Sequence, residues 1–262
     1  MEILPGLVAD GCALFVKGAK ALILADLHIG YEEEARHHGV LVPQEQRGYF
    51  AKELGRLITK HKPRTVVLAG DVKHEFGRIS QEEWSGVLRL IRRVRELGCA
   101  VEVVGGNHDV LIKPILDKLE VTLRKALIIT TTHAKTEQRT LIVHGDEELD
   151  TLVKAGILDK EGLGRVTTII IGHEHPALAI TDGVRTETVK CFLGGTYRHG
   201  GKRYNMVVMP SFNPLALGTD VLRERPLGPL LADFGGFSAF AVLDDGVLAF
   251  GGVERLQRLQ RA

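Results

Sequence analysis

Residues 65–74 read TVVLAGDVKH, a pattern of strand followed by turn on which the predicted fold depends. Val66 to Ala69 form a short apolar run that is typical of a fully buried strand. Gly70 then allows a tight turn without a Cβ clash, so Asp71 is placed at the carboxyl end of the strand. Ligands bind at that edge in open α/β sheets. Because a carboxylate has two oxygens, we predict that Asp71 joins two metal ions.

Composition limits the class of protein. The 262 residues are 44% hydrophobic, which is enough for one sizeable core, and the net charge is +1. A near-neutral chain does not predict a large nucleic-acid footprint, since such domains are markedly basic. The three cysteines are far apart and form no C-x-x-C, which favours neither disulfides nor a thiolate zinc site. With reduced cysteines, no basic leader and no long apolar run, we expect a cytoplasmic protein without a membrane span.

Helix and strand signals alternate in the first half of the chain. We predict helices at about residues 44–61 and 80–97, the second opened by a capping box of Ser80 and Glu83. This alternation predicts β-α-β units and a mostly parallel sheet. The charged run at residues 31–38 is predicted to be a solvated helical face, and residues 210–236 a long surface loop. Short strands dominate from about residue 120, at residues 127–131, 139–143, 166–171, 177–181, 186–193, 204–209, 238–243 and 247–250, with a short helix near 147–155.

Polar side chains follow four further predicted strands. The stretches are D-x-H at 26–28, G-N-H-D at 106–109, H-G at 144–145 and G-H-x-H at 172–175. Residues i and i+2 lie on one side of an extended chain, so Asp26 and His28 point towards one place. One such stretch alone is weak, since a single histidine is more often structural. Together with Asp71, the five stretches predict a metal centre.

The five stretches resemble the motifs of the calcineurin-like metallophosphoesterases over residues 20–176. The resemblance implies an α/β (α+β) fold, a four-layer α/β/β/α sandwich of two mixed sheets, and a single domain over residues 1–262. Further motifs are similar to small archaeal and bacterial phosphoesterases that are related to repair nucleases and in part associated with DNA ligases. These are D-L-H-x-G-Y-E from residue 26, G-D-V-K-H-E-F-G from residue 70 and P-x-F-N-P-L from residue 210.

The resemblance also implies the metal ligands. One ion takes Asp26, His28, Asp71 and His175, and the other takes Asp71, Asn107, His144 and His173. Nitrogen and oxygen ligands without thiolate suit manganese, iron, zinc, cobalt or nickel, and we expect manganese. Two ions about 3.5–4 Å apart clamp phosphoryl oxygens and supply a bridging hydroxide as the nucleophile.

Three more residues have predicted roles in the reaction. His108, beside ligand Asn107, is the predicted general acid for the leaving group. Asp109 either orients the His108 ring or caps a helix over residues 110–118. His74 either contacts a phosphate oxygen and guides a diester into line, or packs under Phe76 and tightens the turn. Asn107 and His74 are thus also predicted to bind substrate.

We expect a phosphodiesterase acting on nucleic acid or a cyclic nucleotide. A phosphomonoesterase and a non-catalytic scaffold are the alternatives, and every expected ligand position is filled. Only 87 of the 262 residues follow His175, so we expect no cap domain for duplex DNA. The basic residues at 198–203 form either a hairpin tip or a phosphate contact, and 5% aromatic residues predict no stacking platform. The oligomeric state stays open, with a homodimer among the options.

Overall fold

Two stacked β-sheets form the centre of the computed structural model, which describes residues 1–40, 46–133, 136–181 and 183–261. Within these residues the first sheet has seven strands, in chain order from edge to edge. The first to fourth strands pair antiparallel with their neighbours, and the fourth to seventh strands pair parallel. The strands are β1 (Glu2–Leu4), β2 (Leu7–Asp10), β3 (Ala13–Val16), β4 (Ala21–Leu24), β5 (Thr65–Ala69), β6 (Ala100–Val104) and β7 (Leu123–Arg124).

Helices cover the outer face of the first sheet. They are α1 (Tyr31–His37), α2 (Gln46–His61), α3 (Gln81–Glu96) and α4 (Lys113–Asp117). The predicted capping box is confirmed, because the Ser80 side chain accepts the N–H of Glu83 and the Glu83 side chain accepts the N–H of Ser80. The predicted start of α2 at Gln44 lies outside the described residues.

The second sheet is also mixed and contains nine strands in the described part of the chain. They are β8 (Leu127–His133), β9 (Thr136–Ile142), β10 (Thr168–Ile171), β11 (Pro176–Thr181), β12 (Thr186–His199), β13 (Lys202–Val208), β14 (Thr219–Asp220), β15 (Phe237–Leu243) and β16 (Gly246–Gly252). Strand β12 is longer than predicted and continues into a hairpin with β13, in which His199 pairs with Lys202. Gly200 and Gly201 supply the positive φ angles that such a tight turn requires, so residues 198–203 form the predicted hairpin tip.

Helices α5 (Leu149–Lys154), α6 (Lys160–Arg165) and α7 (Val253–Arg261) lie on the second sheet. Helix α5 was predicted, whereas α6 and α7 were not. Helix α6 is a short segment with two glycines and shows no strong apolar periodicity, whereas α7 carries Val253, Leu256 and Leu259 at helical spacing within only nine residues. Among the described residues, no helix is long and apolar enough to cross a membrane.

The layers follow from strands that are apolar on both faces. In β5, Val66 and Leu68 pack under the helices of the first sheet, while Val67 and Ala69 face the second sheet. Strand β10 alternates in the same way. Such continuous apolar runs are typical of sheets that are covered on both sides. The predicted four-layer α/β/β/α sandwich is therefore confirmed.

Two predictions about surface segments hold only in part. The charged run is helical, but Glu32 is buried and its carboxylate accepts the backbone N–H of Gln46 at 2.7 Å. Residues 210–236 are mostly irregular as predicted, yet much of the segment is buried. Phe212 stacks on Phe50 of α2 with ring centroids 5.7 Å apart, and Phe234 joins the core of the second sheet. Both errors have one cause, since partners distant in sequence accept these side chains.

Candidate metal centre

The predicted ligands converge where strands of both sheets end. Asp26 and His28 follow β4, Asp71 follows β5 and Asn107 follows β6 in the first sheet. In the second sheet, His144 follows β9, while His173 and His175 follow β10. The carboxyl ends of neighbouring parallel strands meet at one edge, which brings residues more than a hundred positions apart together.

The backbone is bent sharply at these ligands. Among the described residues, eight that are not glycine have positive φ, and five of them are predicted ligands. They are Asp26 (53°), His28 (43°), Asp71 (46°), His173 (62°) and His175 (45°). The left-handed region is unfavourable for residues with a Cβ, and such strain is typical of functional sites. Stability is thus given up here to aim side chains inward.

One group of side chains contains Asp26, His28, Asp71 and His175, with one possible ligand atom from each, all within 4.8 Å of one another. His28 Nε2 lies 3.3 Å from His175 Nε2. The same His28 nitrogen is 3.8 Å from Asp71 Oδ2, and His175 Nε2 is 3.5 Å from Asp26 Oδ2. These are the four residues predicted for the first ion.

A second group contains Asp71, His144 and His173, again within 4.8 Å. His144 Nε2 lies 3.2 Å from Asp71 Oδ2, 3.0 Å from Asn107 Oδ1 and 3.1 Å from His173 Nδ1. The structure thus gathers all seven predicted ligands into two groups, and Asp71 belongs to both.

The way in which Asp71 is shared differs from the expectation of one oxygen for each ion. Asp71 Oδ1 accepts the backbone N–H of His108 at 2.9 Å. Asp71 Oδ2 alone faces His28 and His144, one from each group. A single oxygen therefore lies between the two groups, because the adjacent loop occupies the other.

The negative charge of the buried Asp71 carboxylate favours positive charge on the groups next to it. Burial lowers the pKa of His144, but the hydrogen bond and negative charge of Asp71 outweigh burial and raise it to about 9. Burial raises the pKa of Asp71, yet the contacts with His144 hold it well below its usual range. Burial, reinforced by His175, lowers the pKa of His28 to about 3, so its ring is neutral and able to act as a ligand.

The residues fit a pair of divalent cations. The donors are two carboxylates, four imidazoles and one amide, a nitrogen and oxygen set that suits first-row divalent metals. Glycines keep the space around them narrow: a Cβ on Gly172 would lie 2.6 Å from Asp26 Oδ2, and one on Gly106 would collide with Asp71. Ring nitrogens that face one another at 3.1–3.3 Å beside buried carboxylates form the coordination environment of a cation.

Asp109 has neither of its two predicted roles. Its buried carboxylate accepts backbone N–H groups from Val72 at 3.0 Å, Lys73 at 3.1 Å and Gly106 at 3.0 Å. It therefore joins the two loops that carry Asp71 and Asn107, and it does not orient the His108 ring. Helix α4 begins at Lys113, beyond the reach of an Asp109 cap. Burial raises the pKa of Asp109 to about 6, although the backbone N–H groups oppose this.

His108 lies beside the first group, with its ring centroid 4.8 Å from that of His28. Its Nδ1 contacts the backbone carbonyl of His74, and its Nε2 lies 3.9 Å from Asp71 Oδ2. Because a carbonyl oxygen only accepts, Nδ1 carries a proton in this arrangement. Nε2 is therefore the nitrogen that faces the shared carboxylate and is free to exchange a proton with substrate.

Both ring nitrogens of His74 face protein groups. Its Nε2 contacts a carboxylate oxygen of Glu34, and its Nδ1 lies 3.1 Å from His28 Nδ1. Glu34 accepts a hydrogen bond from Nε2–H of His74. Nδ1 of His74 is therefore unprotonated and accepts a hydrogen bond from Nδ1–H of His28. Nε2 of His28 is then unprotonated and faces the metal site. Hydrogen bonds of this kind commonly fix the tautomer of a histidine that ligates a metal. The alternative in which His74 packs under Phe76 is not observed, because the Phe76 ring lies on His108 instead.

Sequence reasoning missed several residues that support the site. Glu34 was assigned to a solvated face, and Glu83 only to the cap of α3. The Glu83 side chain also accepts the N–H groups of His74 at 3.0 Å and Glu75 at 2.6 Å. Glu174, between two ligands, is buried and accepts the N–H groups of Leu227 and Gly228 at 2.6 and 3.0 Å. Its position between His173 and His175 was the one available signal.

Solved structures that are similar to this chain include a nuclease with the same fold. The nuclease MPE of Pseudomonas putida is 16% identical, with 91% of each chain covered and a TM-score of 0.54. The Escherichia coli phosphoesterase Yfce is also 16% identical, covering 86% of this chain and 88% of its own, with a TM-score of 0.36. Vps29 of Entamoeba histolytica, complexed with zinc, is 16% identical over 87% of this chain and 94% of its own, with a TM-score of 0.35.

Among curated protein sequences, none matches this chain. The profile of the calcineurin-like phosphoesterases matches residues 19–177, more than half of the sequence and the part that carries all seven candidate ligands. The match agrees with the observed sandwich and with the two groups of side chains at its edge. The chain therefore belongs to the calcineurin-like phosphoesterases and is a metal-dependent hydrolase.

Proposed function

We propose that this protein is a phosphodiesterase that uses two divalent ions, with manganese as the preferred metal, and that its substrate is a nucleic acid or a cyclic nucleotide. The observation that carries the proposal is the position of His108 Nε2, 3.9 Å from the one carboxylate oxygen shared by both groups. When bound, the two ions supply Lewis-acid activation of water and of the phosphoryl oxygens. The remaining contributions come from side chains of the chain itself.

His108 supplies the proton that the leaving alkoxide needs. Its contact with the His74 carbonyl fixes the ring, and the rings of His74 and Phe76 both lie against it. A ring held in this way presents Nε2 to the leaving oxygen in one orientation. General acid catalysis of this kind contributes about 10²–10⁴-fold to turnover.

The direction of the Lys73 side chain favours a diester over a monoester. A monoester carries up to two negative charges and a diester one. Lys73, the basic residue next to the Asp71 turn, does not face the cleft: it is fully buried, 3.9 Å from Glu83, and bonded to the carbonyl of Arg78 at 3.3 Å. The nuclease MPE shows that this fold accommodates nuclease chemistry.

One panel assay separates the proposal from its alternatives. The manganese-loaded protein is compared on bis-p-nitrophenyl phosphate, p-nitrophenyl phosphate, 2′,3′-cyclic nucleotides, and labelled DNA and RNA. We expect kcat/KM for the diester to exceed that for the monoester at least tenfold, roughly 1.4 kcal/mol in the barrier. Faster hydrolysis of the monoester would favour the phosphomonoesterase. A protein that holds two ions and hydrolyses none of these substrates would be the scaffold.

A further inference from the structure

Exposed apolar side chains collect on the segments that carry the metal centre. Phe76 is 54% exposed two residues after His74, and Val110 is 73% exposed just after Asp109. Leu227 is 60% exposed, and its backbone N–H donates a hydrogen bond to Glu174, which lies between two predicted ligands in the sequence. Exposed apolar groups that gather around one place mark a binding surface. Of the three, Phe76 is the one whose ring contacts a residue of the site, His108.

Phe76 occupies a special place among them because it contacts the proton donor. Its ring centroid is 3.6 Å from that of His108, and the two rings are tilted by 34°. The His74 ring is also stacked on His108, with ring centroids 5.5 Å apart and an interplanar angle of 11°. Phe76 is thus in contact with the proton donor, while more than half of its surface is exposed.

The position of His108 determines which part of the substrate reaches Phe76. The leaving oxygen must come within hydrogen-bond distance of Nε2 to be protonated. The group attached to that oxygen then extends past the His108 ring, and Phe76 is the exposed side chain that lies against this ring. An exposed phenyl face binds a planar ring by stacking.

We propose that Phe76 is a specificity-determining residue that stacks on a planar ring carried by the leaving group of the diester, a nucleobase or an aryl ring. This inference rests on the proposed function and adds the chemistry of the leaving group. Composition alone does not reveal the platform, since one well-placed ring is sufficient whatever the aromatic content of the chain.

A substrate with two different leaving groups tests the proposal. Thymidine 3′-methyl phosphate releases either thymidine or methanol, and benzyl methyl phosphate releases either benzyl alcohol or methanol. We expect Phe76→Leu to lower the ratio of ring-bearing alcohol to methanol about tenfold, and Phe76→Trp to retain it. Release of methanol also requires His108, so any effect of the substitution on the donor acts on both products and cancels in their ratio. Phe250→Leu, an exposed phenylalanine on β16, is the matched control and should leave the ratio unchanged.

The two substrates identify the ring: a change with thymidine alone indicates a nucleobase platform, and a change with both indicates any planar ring. An unchanged ratio in Phe76→Leu would overturn the proposal.

Binding is measured separately by quenching of the indole fluorescence in Phe76→Trp. Thymidine is the quencher, deoxyribose is the control, and Phe76→Leu, which retains Trp84, is the baseline. If no diester is hydrolysed, the proposed function fails, while quenching by thymidine still decides whether Phe76 binds a ring. Equal quenching by deoxyribose would argue against stacking.

Discussion

The two sheets contribute differently to the metal centre. The loops after the first sheet supply both carboxylates, the amide, one histidine ligand and the proton donor. The loops after the second sheet supply three histidines. The first set is supported by Asp109, which accepts backbone N–H groups of its loops, and by the Glu34–His74 pair, which holds His28. In the second set, His144 Nδ1 is buried 3.5 Å from Asp26 Oδ1 without hydrogen-bond geometry among the described residues, and its ring lies close to Gly70.

This difference separates two tasks. The carboxylates and the proton donor are located on the first sheet, whereas the second sheet completes each group with imidazoles. Changes in the first sheet should therefore affect turnover as well as metal binding. Neither sheet alone has a full set of ligands for either group, so the centre exists only when the two sheets are stacked.

The largest effect is expected at the carboxylate that both groups share. Asp71→Asn should abolish binding of two ions and lower activity by more than ~10⁴-fold, since a neutral amide does not offset the charge of two dications. Metal analysis and kcat/KM on the same sample provide the measurement. Asp117→Asn, at an exposed aspartate paired with Lys113, is the control. An active Asp71→Asn protein with two tightly held ions would contradict the assignment of Asp71 as a ligand shared by both groups.

A smaller loss, confined to turnover, is expected at the proton donor. His108→Asn should retain both ions and slow hydrolysis of alkyl diesters by about 10²–10⁴-fold. The loss should shrink for a nitrophenyl ester, whose leaving group needs no proton. His199→Asn, at the hairpin tip, serves as the histidine control. If good and poor leaving groups were slowed equally, His108 would bind phosphate instead of donating a proton.

A weaker effect is expected from the support of His28. Glu34→Gln should lower metal affinity at the group containing His28 by about 10-fold, because the carboxylate no longer fixes the proton on His74. Titration calorimetry with manganese measures this, and excess metal should restore kcat on diester and monoester alike. Glu96→Gln, on the surface of α3, is the control. Loss of diester hydrolysis alone, with unchanged metal affinity, would return His74 to its predicted role in guiding the diester.

The smallest effect on activity is expected far from the cleft. The Asp10 carboxylate contacts side-chain nitrogens of Arg56, Lys60 and His61 at 2.8, 2.7 and 2.7 Å. Burial raises the pKa of Asp10, but these hydrogen bonds outweigh burial and hold it well below its usual range. A depressed pKa stabilises the fold above the unfolded value of about 3.9, and this stability is lost as the pH falls below that value.

Asp10→Asn should therefore lower the free energy of unfolding by about 1–2 kcal/mol at pH 7, with less effect at pH 3 and none on kcat. Denaturant unfolding at both pH values measures this difference. An equal loss of stability at pH 3 and pH 7 would show that ionisation of Asp10 is not the source. A change in kcat would show that the contact between β2 and α2 at Asp10 is coupled to the metal centre.

The candidate ligands were predictable because each follows an apolar run that forms a buried strand. Strand β5 and helix α3, with its capping box, depend on interactions within a few residues and appear in the sequence directly. Their supports did not appear there. Glu34 looks like any charged residue on a helix, and Asp109 looks like a cap. Their partners are 40 and 37 positions away, at His74 and Val72.

The sequence by itself determined which elements form and which side chains leave their strand ends, since hydrophobic periodicity and turn chemistry act over short distances. Only the tertiary structure decided that a single oxygen of Asp71 lies between both groups, that His74 supports His28, and that Phe76 covers the proton donor. These arrangements depend on how two sheets stack and how loops far apart in sequence share space. Contacts of that kind arise from packing in three dimensions, which no local pattern encodes.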